Sequence, residues 1–104
     1  MKAVATEKAP KALGPYSQGY VHNGIFCSAG QIPINPATDA IEAETIAEQT
    51  EQVCKNLAAV LEAAGTSFDK VLKTTCFLSD MGDFAACNEV YAKYFTSKPA
   101  RSCV

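Results

Sequence analysis

The sequence predicts an α+β fold in which two helices pack on one face of a mixed β-sheet. Residues 45–64 and 84–95 repeat apolar side chains at helical spacing. The segments around them are short, rich in β-branched or aromatic residues, and bounded by Gly, Pro, Asn and Asp, as strands are. The predicted order β-β-α-β-α-β suits helices that gather on one side of a sheet. With 104 residues, we expect a single domain over residues 1–104.

The first third of the chain predicts a hairpin followed by a loop. Residues 18–22 and 25–29 form the two predicted strands, and Asn23-Gly24 between them is a typical two-residue hairpin turn. Residues 33–38, which include Asn35-Pro36, predict a loop. Residues 12–38 carry no Asp, Glu, Lys or Arg, but Gly and Pro interrupt them too often for a membrane span.

The long predicted helix spans residues 45–64. Acidic side chains crowd its beginning, where the helix dipole favours negative charge. Gly65 follows the last apolar turn and is expected to end the helix.

The last third predicts a strand, a helix and the start of another strand. Residues 70–78 predict the strand, and Asp83 is expected to be the N-cap of the helix over 84–95. Pro99 prevents the helix from continuing. Residues 101–104 begin a final strand that we expect to be too short to pair well.

The cysteine pattern argues against a metal centre. The chain has five cysteines, no CxxC pair, and a single histidine, His22, whereas a zinc site needs three or four converging ligands. No glycine-rich phosphate loop is present, so we expect no cofactor. An odd number of scattered cysteines without a leader segment predicts a reducing, cytoplasmic location. The cysteines are Cys27, Cys54, Cys76, Cys87 and Cys103.

Charge disfavours nucleic acid as a partner. The formal net charge is −2, from 9 basic and 11 acidic side chains. Binding to phosphate backbones relies on clustered Lys and Arg, which this composition does not favour.

Arg101 is the most informative single residue for function. Its guanidinium either lies at a strand end in solvent or grips a carboxylate with two parallel hydrogen bonds. Tyr16 either plugs a loop or contacts a ligand, and Gly30 ends a strand where backbone can approach a ligand closely. Cys103 has no assured base nearby, and a lone strand cysteine is more often inert than nucleophilic.

The sequence resembles the RidA/YjgF family of imine and enamine deaminases. The resemblance extends along nearly the whole chain in ordered blocks: residues 5–10 (ATEKAP), 14–18 (GPYSQ), 30–33 (GQIP), 73–75 (KTT), 83–84 (DF), 88–91 (NEVY) and 99–104 (PARSCV). It implies a chorismate-mutase-like, YjgF-type fold and a homotrimer with ligand clefts between subunits. It also implies hydrolysis of 2-iminobutanoate and 2-iminopropanoate to 2-oxo acids and ammonia.

The resemblance also implies roles for individual residues. Arg101 resembles the family arginine that binds the substrate carboxylate, and Tyr16 resembles the tyrosine that lines the cleft. Gly30 and Cys103 resemble positions that flank the bound acid, so Cys103 joins Arg101 as a candidate catalytic residue. Asn88 matches a family asparagine and is expected to support the cleft.

Two positions depart from the family pattern. Ala29 stands where relatives often have serine, so Ser28 would have to supply the hydroxyl to the cleft. Relatives continue into another strand, with a glutamate that helps to position the hydrolytic water, whereas this sequence ends at Val104. We therefore keep open a binding module for small 2-oxo or other carboxylic acids without turnover. A third hypothesis is that the protein inhibits translation by cleaving RNA, an activity ascribed to some relatives. The excess of acidic over basic side chains disfavours this hypothesis.

Overall fold

Five strands and two helices make up the computed structural model, which describes all residues from 1 to 104. Their bounds are β1 Lys2–Val4, β2 Gly19–His22, β3 Ile25–Ser28, α1 Ile46–Ala63, β4 Lys73–Cys76, α2 Phe84–Tyr94 and β5 Ala100–Cys103. Single turns of 3-10 helix at Phe68–Lys70 and Met81–Asp83 precede β4 and α2. The α+β class with two helices is confirmed, and neither helix combines the length and the apolar composition that a membrane crossing requires.

Strand β1 is an element that the sequence pattern does not predict. It has three residues and no apolar alternation, so it carries almost no local signal. The strand forms because β2 offers it an open edge, with Lys2 opposite Val21 and Val4 opposite Gly19 in antiparallel register. Val4 is 6% exposed, so the pairing also buries an apolar side chain.

The predicted hairpin is confirmed, with strand bounds within one residue of those expected. Tyr20 pairs with Cys27 in the middle of the ladder. Asn23 and Gly24 adopt φ angles of 52° and 76°, the left-handed pair that a two-residue turn needs to match the twist of its strands.

The second sheet contains only β4 and β5, which run parallel. Strand β4 is shorter than the predicted segment 70–78 at both ends, and the 3-10 turn at Phe68–Lys70 includes the first residue of that segment. The expectation that the final strand would pair poorly is wrong, since all four residues of β5 pair, from Lys73 opposite Ala100 to Cys76 opposite Cys103. The strands therefore form two small sheets of mixed direction.

A side-chain cap forms at the start of α1 but not at the start of α2. Thr45 caps α1 by accepting from the Glu48 backbone N–H, while the Glu48 carboxylate accepts from the Thr45 backbone N–H. Gly65 has a φ of 81° just beyond the C-cap of α1. Asp83 occupies the N-cap position of α2 but makes no capping hydrogen bond, because the preceding 3-10 turn leaves it in helical conformation. The predicted N-cap position of Asp83 is confirmed, although its side chain makes no capping hydrogen bond.

Both helices pack on the same face of the β4–β5 sheet. Cys54 of α1 and Tyr91 of α2 form the buried cluster with Phe95, and Cys76 of β4 packs against it. The Thr74 hydroxyl is 2.7 Å from the Tyr91 hydroxyl, which ties the same strand face to α2. The predicted placement of the two helices on one face is thus seen at this sheet.

Asn56 holds the loop after β3 onto α1 and is 1% exposed. Its amide nitrogen donates to the carbonyl oxygens of Ile32 at 3.1 Å and Ile34 at 2.9 Å. Its oxygen accepts from the Gln52 amide at 2.9 Å. These bonds satisfy every polar atom of a side chain that no water reaches.

We expect Asn56→Ala to destabilise the protein by about 2–4 kcal/mol, because it removes three hydrogen bonds of about 0.5–1.5 kcal/mol each. The control Gln52→Ala removes only the half-buried partner and should cost at most about 1 kcal/mol. Urea unfolding followed by circular dichroism measures both. Equal losses in the two variants would contradict the clamping role of Asn56.

Candidate functional site

Arg101 lies on β5 with its guanidinium held against α2. Its Nη1 donates to the Asn88 Oδ1 atom at 2.6 Å. The guanidinium carbon lies 4.6 Å from the centre of the Tyr91 ring and 5.2 Å from that of Phe84, both within cation–π range. The Asn88 bond occupies one of five N–H donors, and the residue is exposed, so the other donors can meet a ligand.

The residues that hold Arg101 form one stripe along α2. Phe84, Asn88 and Tyr91 are spaced by four and then three residues, which puts them on the same helix face. Asn88 was expected to support the cleft, and it does contact Arg101. Phe84 and Tyr91 are not among the site residues predicted from the sequence. Their helical spacing from Asn88 is the pattern from which they could have been identified. Opposite Arg101 in the β ladder lies Thr74, whose hydroxyl contacts Tyr91.

Cys103 is half-buried and lies two residues after Arg101 on the same strand face. Its ladder partner is Cys76. Burial raises the pKa of the Cys76 thiol, and the neighbouring Cys103 and Cys87 raise it further, whereas the Arg101 guanidinium opposes them. The structure therefore brings Arg101, Asn88 and Cys103 together around β5 and α2.

Tyr16, Ser28 and Gly30 lie elsewhere, around the β1–β2–β3 sheet. Tyr16 is 55% exposed, and its hydroxyl accepts from the Leu13 backbone N–H at 3.3 Å. Ser28 is exposed at the end of β3, opposite Gly19. A Cβ added at Gly30 would meet no atom within 4 Å, so the backbone there is open to a ligand.

The two groups of candidate residues are not joined within one chain. No hydrogen bond or ring contact of Arg101 reaches Tyr16, Ser28 or Gly30. Two shallow cavities, of about 300 and 270 Å³, lie at the β1 edge and beside Leu13 and Ile34. Neither cavity is lined by any of the six candidate residues.

The Arg101 group has the chemistry of an anion site. A guanidinium that is already oriented by an amide and two rings can donate two parallel hydrogen bonds to a carboxylate with little further ordering. No group of three or more His, Cys, Asp or Glu side chains is arranged to hold a metal ion.

Cys54 lies in the buried cluster beneath this site, and the pKa of its thiol reflects that burial. Burial, with smaller effects of Glu51, Cys87 and Cys76, raises its pKa from 9.0 to about 12. The thiol is 2% exposed. The pKa of Cys54 is higher in the folded than in the unfolded protein. Its contribution to the free energy of unfolding is therefore fully present below pH 9 and is lost as the pH rises toward 12.

We expect iodoacetamide to modify Cys54 at least about 10³-fold more slowly at pH 8 than after unfolding, since each pKa unit lowers the thiolate fraction tenfold. Exposed Cys27 is the internal control and should react quickly in the folded protein. Peptide mass mapping measures both rates. Equal rates at the two cysteines would contradict the buried placement of Cys54.

Comparisons with known proteins agree in sequence and in fold. A family model described as Endoribonuclease L-PSP matches residues 6–104. A RutC family protein of Pyrococcus horikoshii is 52% identical over 104 residues, which are 99% of this chain and 82% of that protein. The 2-iminobutanoate/2-iminopropanoate deaminase of Salmonella typhimurium is 44% identical over 107 residues, covering 99% of this chain and 83% of that protein. The crystal structure of E. coli TdcF with bound serine has a TM-score of 0.94 at 39% identity, and the match covers 100% of this chain and 84% of that one.

Proposed function

This chain belongs to the Endoribonuclease L-PSP family, which includes the RidA and RutC proteins, and we propose that it hydrolyses small 2-imino acids to 2-oxo acids and ammonia. The proposal covers 2-iminobutanoate, 2-iminopropanoate and their enamine tautomers. The observation that carries it is the exposed Arg101 guanidinium, which Asn88 and two aromatic rings hold in place with donors free for an anion. The 44% identity with a protein named for this reaction supports it.

Hydrolysis of a 2-imino acid requires that the substrate and a water molecule are positioned together more than it requires a strong nucleophile. A protonated 2-imino acid is electrophilic at carbon 2, so water adds there and ammonia leaves from the resulting tetrahedral carbon. Holding the carboxylate next to a water molecule makes this addition effectively intramolecular. Two charge-assisted hydrogen bonds from Arg101 contribute about 3–6 kcal/mol, or about 10²–10⁴ in affinity.

The other candidate residues have proposed roles around this grip. Cys103 is proposed to flank the bound acid, on the same strand face as Arg101. Tyr16 is proposed to line the cleft, with the Gly30 backbone and the Ser28 hydroxyl contacting the substrate. These roles are supported by the position of Cys103 and by the open backbone at Gly30.

We propose that a homotrimer completes the site. No hydrogen bond or ring contact joins Arg101 to Tyr16 within the chain, and a cleft between subunits would bring the Arg101 group of one copy to the Tyr16 group of the next. Large apolar side chains that stay exposed in the single chain are consistent with such contacts, among them Ile25, 55% exposed, and Phe77, 79% exposed. We place this activity in the cytoplasm, where amino acid dehydratases would release reactive imines.

The test is a reaction in which threonine dehydratase supplies 2-iminobutanoate. Added protein should accelerate the release of 2-oxobutanoate, recorded in the presence of semicarbazide, which competes for the free imine. Heat-denatured protein is the control. Acceleration that is equal for the denatured and native protein would refute the deaminase.

A binding module for small carboxylic acids is the second candidate. The bound serine in the E. coli TdcF structure favours it, because that relative holds a small amino acid. Calorimetry with 2-oxobutanoate, run beside the dehydratase assay, separates the two functions. Binding without acceleration supports the module, and RNA cleavage at physiological salt would instead support the nuclease that the family description names.

A further inference from the structure

Two of the five cysteines stand directly opposite each other on the parallel strands β4 and β5. The ladder pairs Cys76 with Cys103, and backbone bonds lock this register. The Val104 N–H donates to the Cys76 carbonyl at 2.9 Å, and the Val104 carbonyl accepts from the Leu78 N–H at 2.9 Å. These two bonds follow the cysteines along the strands, and the ladder pair of Thr75 with Ser102 precedes them, so the register is fixed on both sides.

Both thiols lie on the helix-facing side of the sheet. Thr74 precedes Cys76 by two residues and bonds Tyr91 of α2, so strand alternation places Cys76 on that face as well. Cys103 follows Arg101 by two residues, and Arg101 contacts the same helix. Both thiols are half-buried, so a small oxidant can reach them.

The spacing of the strands suits a disulfide. Neighbouring strands lie about 4.7–4.9 Å apart, within the range of about 4.4–6.8 Å between Cα atoms that disulfides span. Two thiols in register on one face need no backbone rearrangement to come within bonding reach. Cys27 is exposed on the other sheet and has no cysteine beside it, so it offers a control within the same chain.

We propose that Cys76 and Cys103 form a dithiol that hydroperoxides oxidise to an intrachain disulfide. In the first step one thiolate sulfur attacks a peroxide oxygen and the O–O bond breaks to give a sulfenic acid. The hydroxide that leaves takes up the proton that the thiol had lost and departs as water. The second thiol then attacks the sulfenic sulfur, the S–S bond forms, and the hydroxyl departs as a second water with the thiol proton. Two thiols lose two electrons, and one hydrogen peroxide is reduced to two waters.

The environments of Cys76 and Cys103 indicate which thiol reacts with the peroxide first. Burial raises the pKa of Cys76, so this thiol ionises less readily than an ordinary cysteine, which suits the second step. Cys103 would then be oxidised first, on the strand face that it shares with the Arg101 guanidinium. Cys87 of α2 also lies near Cys76, since it contributes to the raised pKa, and it is the competing partner that the test must exclude.

The test treats the folded protein with hydrogen peroxide and counts free thiols by alkylation and intact mass. The expected result is the loss of two of the five thiols, with no gain of oxygen, and full recovery after dithiothreitol. Peptide mapping should find Cys76 linked to Cys103. Cys27→Ser should form the same link at the same rate.

Cys76→Ser provides the matched variant for the second step. It should form no link and should accumulate a sulfenic acid at Cys103 that dimedone traps, with a far-ultraviolet circular dichroism spectrum like that of the wild type. A link between Cys76 and Cys87, a link between two chains through Cys27, or five thiols that persist would each overturn the proposal.

Discussion

Arg101→Ala is expected to lower the affinity for 2-oxobutanoate by about 10²- to 10⁴-fold. The guanidinium is proposed to supply two charge-assisted hydrogen bonds to the carboxylate, each contributing about 1.5–3 kcal/mol. No other cation is placed among the side chains that hold Arg101, which are Asn88, Tyr91 and Phe84. Calorimetry measures the affinity, and the dehydratase assay measures the matching loss of acceleration.

Two further variants distinguish the effect of the planar guanidinium group from the effect of its positive charge. Arg101→Lys keeps the positive charge but loses the planar fork, so it should recover only part of the affinity. Lys93→Ala removes one positive charge from the exposed surface of α2 and should bind like the wild type. If Arg101→Ala bound 2-oxobutanoate as tightly as Lys93→Ala does, both the deaminase and the carboxylic acid module would lose their support.

Phe95→Ala is expected to destabilise the protein by about 3–5 kcal/mol, the usual cost of removing a buried aromatic ring. Phe95 is 5% exposed. Its ring stacks on Tyr91 at 4.2 Å between centroids and meets Phe68 edge-on at 4.9 Å. Because Phe95 caps α2 and packs on the ring beside Arg101, the loss weakens both the core and the support of the site.

Thermal unfolding at a fixed protein concentration measures the Phe95 effect. A cost of this size lowers Tm by about 12 °C or more in a domain of this length. Met81→Ala is the control, because Met81 is 50% exposed and its truncation should change stability by less than about 0.5 kcal/mol. Similar Tm values for the two variants would contradict the packing around Phe95.

Local chemistry explains the elements that could be predicted from the sequence. Asn23-Gly24 specifies its turn because both residues tolerate positive φ, and Thr45 with Glu48 specifies the start of α1 through reciprocal caps. At α2 the N-cap position of Asp83 is predicted correctly, but its side chain makes no capping hydrogen bond because the 3-10 turn at Met81–Asp83 leaves it in helical conformation. Short-range rules hold where no neighbouring turn competes for the same residues.

The candidate site was predictable in part. The ordered blocks of family resemblance identify Arg101 and Asn88, and the structure joins these two through a 2.6 Å hydrogen bond. The same resemblance implies that Tyr16 belongs to one cleft with Arg101, but no hydrogen bond or ring contact joins these two residues within one chain. Sequence similarity identifies the candidate residues, but it does not give their distances from one another in space.

By itself, the sequence determined the two helices, the hairpin and the family, because each depends on residues close together in the chain or on ordered motifs. Only the tertiary structure decided that Lys2–Val4 becomes a strand, that β4 and β5 pair along four residues, and that Cys76 meets Cys103. These outcomes depend on contacts between distant segments, whose register follows from the packing of whole elements. Apolar periodicity reports which face of an element is buried, but it does not report which partner covers that face.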